Sequence, residues 1–176
     1  MPESTLQFVH AMRLARTGSS LDGEVALSRM ARLAPLLQSL DGTVRFELCF
    51  DLDEASRPVA LGQIRAKLEV VCQRCLEPMP VEIESEVRLG IVRRESEAVA
   101  LPPEYEPLQV DGERISLLAV IEDELILALP SAPLHPPGRC QPPRQSRRGV
   151  VKNGTEAKSP FAVLAAAKRD AGSAGP

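Results

Sequence analysis

From Val44 to Leu52 the chain alternates apolar and polar positions. Val44, Phe46, Leu48, Phe50 and Leu52 share one side, while Arg45, Glu47 and Asp51 share the other. A period of two is the period of a strand with one face on a core. Cys49 falls on the polar side and is read as a structural residue. The pattern repeats with Ile64, Ala66, Leu68, Val70 and Cys72 against Gln63, Arg65, Lys67 and Glu69. It repeats again with Val81, Ile83, Val87, Leu89 and Ile91 against Glu82, Glu84, Glu86 and Arg88. Three such runs in succession predict an antiparallel meander.

Elsewhere the spacing is helical. Val25, Leu27, Met30, Leu33 and Leu37 predict a helix over Glu24–Gln38, capped near Asp22 or Gly23 and kinked or cut short by Pro35. A second helix is predicted over Ile115–Leu129, with Ser116 as N-cap, Leu117, Leu118, Ile121, Leu125 and Ala128 or Leu129 as its apolar stripe, and Pro130 as its end. Glu122-Asp123-Glu124 lies on this helix. Neighbouring helical positions point apart, so the run reads as a solvated face rather than a pair of catalytic carboxylates. Arg93 to Arg114 is rich in Glu and Pro without a period and reads as a long surface loop.

Composition changes the picture at the C-terminal end. Of the 176 residues, 44% are hydrophobic and only 3% aromatic, so the core is expected to be built from Leu, Val, Ile and Ala. That also disfavours a nucleic-acid platform built on aromatic stacking. Arg139 to Pro176 holds eight basic residues (Arg139, Arg144, Arg147, Arg148, Lys152, Lys158, Lys168, Arg169) against two acidic ones, which makes it +6; since the whole chain is −3, the remainder is −9. An acidic body thus carries a basic tail. Pro136 to Lys158 has no period and little apolar content, as in a disordered linker, and such tails contact polyanions by neutralising phosphates. A short helix is expected after it, with Ser159 as N-cap and Pro160 at its first position. Phe161, Val163 and Leu164 give it an apolar docking surface, and so short a helix needs a partner or the body to hold it. The division expected is a body over 1–138, a basic flexible linker over 139–158, and a docking helix and tail over 159–176. No N-terminal leader pattern and no apolar run of membrane length is present, so a cytoplasmic location is expected.

In a reducing compartment the four cysteines are candidates for metal ligation, catalysis or burial before disulfide formation. Cys72-Gln-Arg-Cys75 places two thiols on one tight turn between the second and third predicted strands. His135 and Cys140 can complete a four-ligand set for zinc or a similar soft ion, although 59 residues lie between Cys75 and His135. Two other readings stay open at this point. One has Cys72 as a core thiol, with Cys75 exposed and His135 on a loop; the other is a redox dithiol. The latter is disfavoured because Glu77-Pro78-Met79-Pro80 is a poor start for the helix that activates such thiols.

There is no phosphate-cradling glycine loop, no G-x-S-x-G elbow and no H-E-x-x-H, so the expectation is a protein that is not an enzyme. In order along the chain come Val71-Cys72-Gln73-Arg74-Cys75, then Leu101-Pro102-Pro103-Glu104-Tyr105-Glu106-Pro107. These are followed by Ile121 to Pro130 leading to His135 and Cys140, and by Ser159-Pro160-Phe161-Ala162-Val163-Leu164. Together they resemble the bacterial and plastid large ribosomal RNA subunit accumulation proteins, the YceD family, from about Phe46 onward. The resemblance implies a non-catalytic role in synthesis, processing or stability of 23S rRNA during large-subunit assembly, through binding of rRNA or pre-ribosomal particles. It also implies that Cys72, Cys75, His135 and Cys140 form a recurring set, with zinc as the expected ion. One departure is Pro142 to Arg148, basic here where a more acidic segment is expected. Two other classes remain: an adaptor that docks a protein through Phe161, Val163 and Leu164 without touching RNA, and a thiol-dependent enzyme. The fold expected is α+β, a small antiparallel sheet packed by the Glu24 and Ser116 helices.

Overall fold

The computed structural model describes residues 8–110, 112 and 114–140. The expected linker from Arg144 through Lys158 and the docking helix with Phe161, Val163 and Leu164 lie outside the described residues.

The fold is α+β. Helix α1 (Ala11–Thr17) leads into strand β1 (Ser20–Ala26), and two single turns of 3-10 helix follow at Leu27–Arg29 and Ala34–Leu36. Strands β2 (Thr43–Leu52), β3 (Pro58–Val71) and β4 (Pro78–Val92) come next, then a short α2 (Glu95–Ala98), strand β5 (Glu106–Gln109) and helix α3 (Leu117–Ala128). The sheet runs in order β1-β2-β3-β4-β5. Neighbours from β1 to β4 are antiparallel, and β5 joins β4 in parallel. The sheet is therefore mixed, with two strands more than the alternation announced.

The alternating runs place their apolar sides inward as their spacing requires. Val44, Phe46, Leu48 and Phe50 of β2 are buried with Ile64, Ala66, Leu68 and Val70 of β3 and Ile83, Val87, Leu89 and Ile91 of β4. Leu52, at the end of β2, is exposed. The opposite face is charged and open, with Arg45 paired to Glu24, Arg65 to Glu84 and Lys67 to Glu82 across neighbouring strands. Cys49 is an exposed free thiol on this face, beside Ser20 and Leu61 in the ladder, and so has no part in the core. Helix α3 is close to its expected span. Ala119 N–H donates to Ser116 Oγ at 3.2 Å, and Leu117, Ile121 and Leu125 are buried.

The helix expected over Glu24–Gln38 does not form. Its apolar residues are buried, Val25, Leu27, Met30, Leu33 and Leu37 alike, but the chain reaches that burial extended and then in tight turns. Val25 and Leu27 are two apart, and β1 pairs Glu24 with Arg45 and Val25 with Val44, so the sheet edge supplies hydrogen bonds that a helix would have had to make itself. Pro35 opens the second 3-10 turn, where its missing N–H costs nothing. The stretch is held at both ends by backbone bonds, Leu27 N–H to Gly42 O and Gln38 N–H to Glu69 O.

Glu122 is a second correction. It is not on a solvated face but buried, the carboxylate reaching across to the 3-10 segment. Its Oε1 accepts the Arg32 and Leu33 N–H groups at 2.6 and 3.0 Å, and its Oε2 accepts Arg32 Nε at 3.0 Å. Asp123 takes another guanidinium nitrogen of Arg32. Burial raises the Glu122 carboxyl, but the two backbone donors and the arginine outweigh it and hold the group below its ordinary value.

Arg93 to Arg114 is likewise more ordered than a surface loop. Leu101 lies over Gly90, where a Cβ would fall 2.7 Å from its methyl carbons, so glycine lets the segment settle there without turning the leucine side chain aside. The chain then adds β5, whose Pro107 is tolerated on an edge strand. Among the described residues no helix is long and apolar enough to cross a membrane.

Candidate metal centre

Cys72 follows β3 and Cys75 precedes β4, and the intervening chain closes as a tight turn. Cys72 N–H donates to Glu77 O at 3.0 Å and Leu76 N–H donates back to Cys72 O at 2.9 Å. Leu76 holds the left-handed conformation, φ 64°, that such a reversal demands, at a cost that glycine would not bear. No helix opens from this turn, so no helix N-terminus acts on its thiols.

The other half comes from the chain leaving α3. Pro130 stops the helix, and Gln73 N–H donates to Pro133 O at 2.8 Å, tying the turn to the outgoing segment. Gly138, at φ 81°, and the Arg139 N–H to Pro136 O bond bend that segment so that Cys140 returns toward His135. The sequence separation is thus bridged by α3 packing on β3 and β4, with the expected four residues brought to one point.

Cys72 is buried, and Cys75, His135 and Cys140 are half-buried. Their ligand atoms all lie within 4.8 Å of one another. Cys72 Sγ and Cys140 Sγ are 3.9 Å apart, and Cys75 Sγ and His135 Nδ1 are 3.4 Å apart. A tetrahedral zinc ion with bonds of about 2.3 Å to sulfur and about 2.0–2.1 Å to nitrogen sets two sulfurs roughly 3.8 Å apart, and a sulfur and a nitrogen roughly 3.6 Å apart. The observed edges match that figure, whereas a disulfide needs its sulfurs at about 2.05 Å. All the cysteines are free thiols. Three thiols and an imidazole fit a soft divalent ion in a closed site.

The electrostatics favour the same use. Burial pushes the Cys72 thiol up, but backbone N–H groups of Cys75, His135 and Arg74 point at its sulfur and bring it down to about 5. One of these, the His135 N–H, donates at 3.4 Å. Cys140 is instead raised by burial and by its sulfur neighbours Cys75 and Cys72. Adjacent thiolates repel unless a cation sits among them, and an ion bound by all four groups removes that conflict. Arg74, between the two cysteines, brings Nη1 to 3.9 Å from Cys140 Sγ. Its place was signalled only by a positive charge inside the C-x2-C step.

Of the residues expected to touch RNA, Arg139 is described and exposed, one position before Cys140. Arg144, Arg147, Arg148, Lys152 and Lys158 lie outside the described residues.

Compared with known proteins, residues 60–168 match the profile of the family described as "Large ribosomal RNA subunit accumulation protein YceD". A protein of that name from Haemophilus influenzae is 34% identical over 151 residues, covering 84% of this chain and 86% of its own. No solved structure matches.

Proposed function

The chain belongs to the YceD family of large ribosomal RNA subunit accumulation proteins, and from that premise we propose that it is a non-catalytic ribosome-biogenesis factor. In this reading it promotes the synthesis, processing or stability of 23S rRNA in the cytoplasm, by binding the rRNA or pre-ribosomal particles. The observation that carries the reading is the reach of the family match, which spans the Cys/His cluster, α3 and the segment Ser159–Leu164 alike.

Cys72, Cys75, His135 and Cys140 hold one zinc ion in this account. The ion is a clip: with four protein ligands it has no open position for water or substrate, and it fastens the β3–β4 turn to the chain leaving α3. The basic tail, with Arg139, Arg144, Arg147, Arg148, Lys152 and Lys158, supplies a salt-sensitive attraction to phosphates. Phe161, Val163 and Leu164 offer an apolar surface for a protein of the assembling particle.

Crosslinking in cells followed by sequencing of the bound RNA tests the reading. Enrichment of 23S sequences, including precursor ends, is expected. Protein partners recovered without enriched 23S sequence would instead identify an adaptor that docks through its terminal helix.

A further inference from the structure

The sequence assigns positive charge to the tail and negative charge to the body, yet the body's charges are not evenly spread. Six of its cations are neutralised: Arg32, Arg45, Arg57, Arg65, Lys67 and Arg88 each form an ion pair. The depression over the open sheet face, about 730 Å³, is bordered by Asp22, Glu47 and Glu86 and repels phosphate. On α1 the situation is reversed. His10, Met12, Arg13, Arg16, Thr17 and Arg93 line a concavity of about 460 Å³, and none of these described lining residues is a carboxylate.

Arg13 and Arg16 are three residues apart on α1, which places both guanidinium groups on one side of the helix. Arg93 joins them from the end of β4 across more than seventy residues of sequence. All three are exposed, and none forms an ion pair among the described residues. Arg114 Nε donates to His10 Nε2 at 3.2 Å, bringing a fourth guanidinium to the rim. Of the two acids that follow Arg93, Glu95 and Glu97, the second spends one carboxylate oxygen on the Arg93 backbone N–H at 2.7 Å.

We propose that this concavity is a phosphate-backbone binding site for RNA on the folded body, separate from the basic tail. The inference rests on the rRNA reading above and deepens it by naming the surface. Arginine forks bind phosphodiester oxygens bidentately, and several forks converging on one hollow suit a ligand whose charges repeat at short intervals. A body that is acidic overall approaches such a polymer through a basic side, so the patch also favours one orientation of docking.

The test uses the full chain and a fluorescein-labelled RNA stem-loop titrated over a range of salt concentrations. Arg13→Ala/Arg16→Ala/Arg93→Ala is expected to bind at least about tenfold more weakly at low salt, with the log–log salt slope shallower by roughly two to three. Its melting temperature should not change, because all three side chains are exposed. The triple lysine variant should recover the slope, since it restores the charge, and it guards against a folding defect. If the alanine variant keeps both the affinity and the slope of the original chain, the site is wrong while RNA contact through the tail stands. If the original chain shows no salt-dependent binding, direct RNA contact and this site fall together. If polyglutamate binds as tightly and with the same dependence on the three arginines, the ligand is an acidic protein segment and the assignment to RNA is overturned.

Discussion

Two clasps hold remote parts of this chain together, and they differ in how openly they are written. One joins the Cys72–Cys75 turn to His135 and Cys140 through sulfur and imidazole. The other joins Glu122 on α3 to the Arg32–Leu33 backbone, 90 and 89 positions away. Both bury polar groups and satisfy them from distant segments. Among the described residues no buried side-chain nitrogen or oxygen is left without a partner. The first uses residue types that are scarce and cluster only for a reason. The second uses a glutamate in an acidic run, the commonest of surface patterns, and nothing local separates it from its neighbours.

The largest effect should come from opening the first clasp. Cys75→Ser, or chelation of the intact chain, is expected to lower stability by about 4 kcal/mol, the linkage expected where free zinc stands about a thousandfold above its dissociation constant. Thermal melting with and without added zinc measures it. Loss of protection from hydrogen exchange should centre on Cys72–Glu77 and Pro133–Cys140 and leave β2 protected.

Opening the second clasp should cost less. Glu122→Ala strands the Arg32 and Leu33 N–H groups and is expected to destabilise by roughly 2–3 kcal/mol in denaturant unfolding. Metal content should be unaffected, because the two clasps share no ligand. An equal loss of metal would show that they are one cooperative unit.

Acid separates the clasps further. The Glu122 carboxyl is held below its ordinary 4.5, so the ionised form is favoured in the folded chain. Its contribution is fully present above that value and disappears as pH falls through the lower folded value. Stability of the metal-free chain should therefore drop below about pH 4.5. Glu122→Gln should flatten that part of the profile, as read by unfolding at successive pH values. The smallest effect is expected at the remaining cysteine: Cys49→Ser, on the open face, should change stability by no more than about 0.5 kcal/mol and leave metal content as it was.

What could be read from the chain follows the same division. Strands β2, β3 and β4 were legible because a period of two has one interpretation when it persists over many residues. The stretch Val25–Leu37 was not, because its apolar positions suit a helix as well as a strand followed by two turns. Only pairing with β2 and the position of Pro35 decide between them. β5 is four residues long and contains Pro107, so its place beside β4 depends on Leu101 settling over Gly90 rather than on any local pattern. The four Cys/His candidates were legible as types and spacing, but their meeting depends on α3 packing against the sheet. The basic hollow of Arg13, Arg16 and Arg93 was invisible to a charge count that averaged the body to −9.

The most direct measurement is native mass spectrometry of the full chain purified without chelator, compared with Cys75→Ser. The account predicts one zinc ion per chain, and none retained by the variant. A metal-free chain that melts at the same temperature before and after addition of zinc would contradict it.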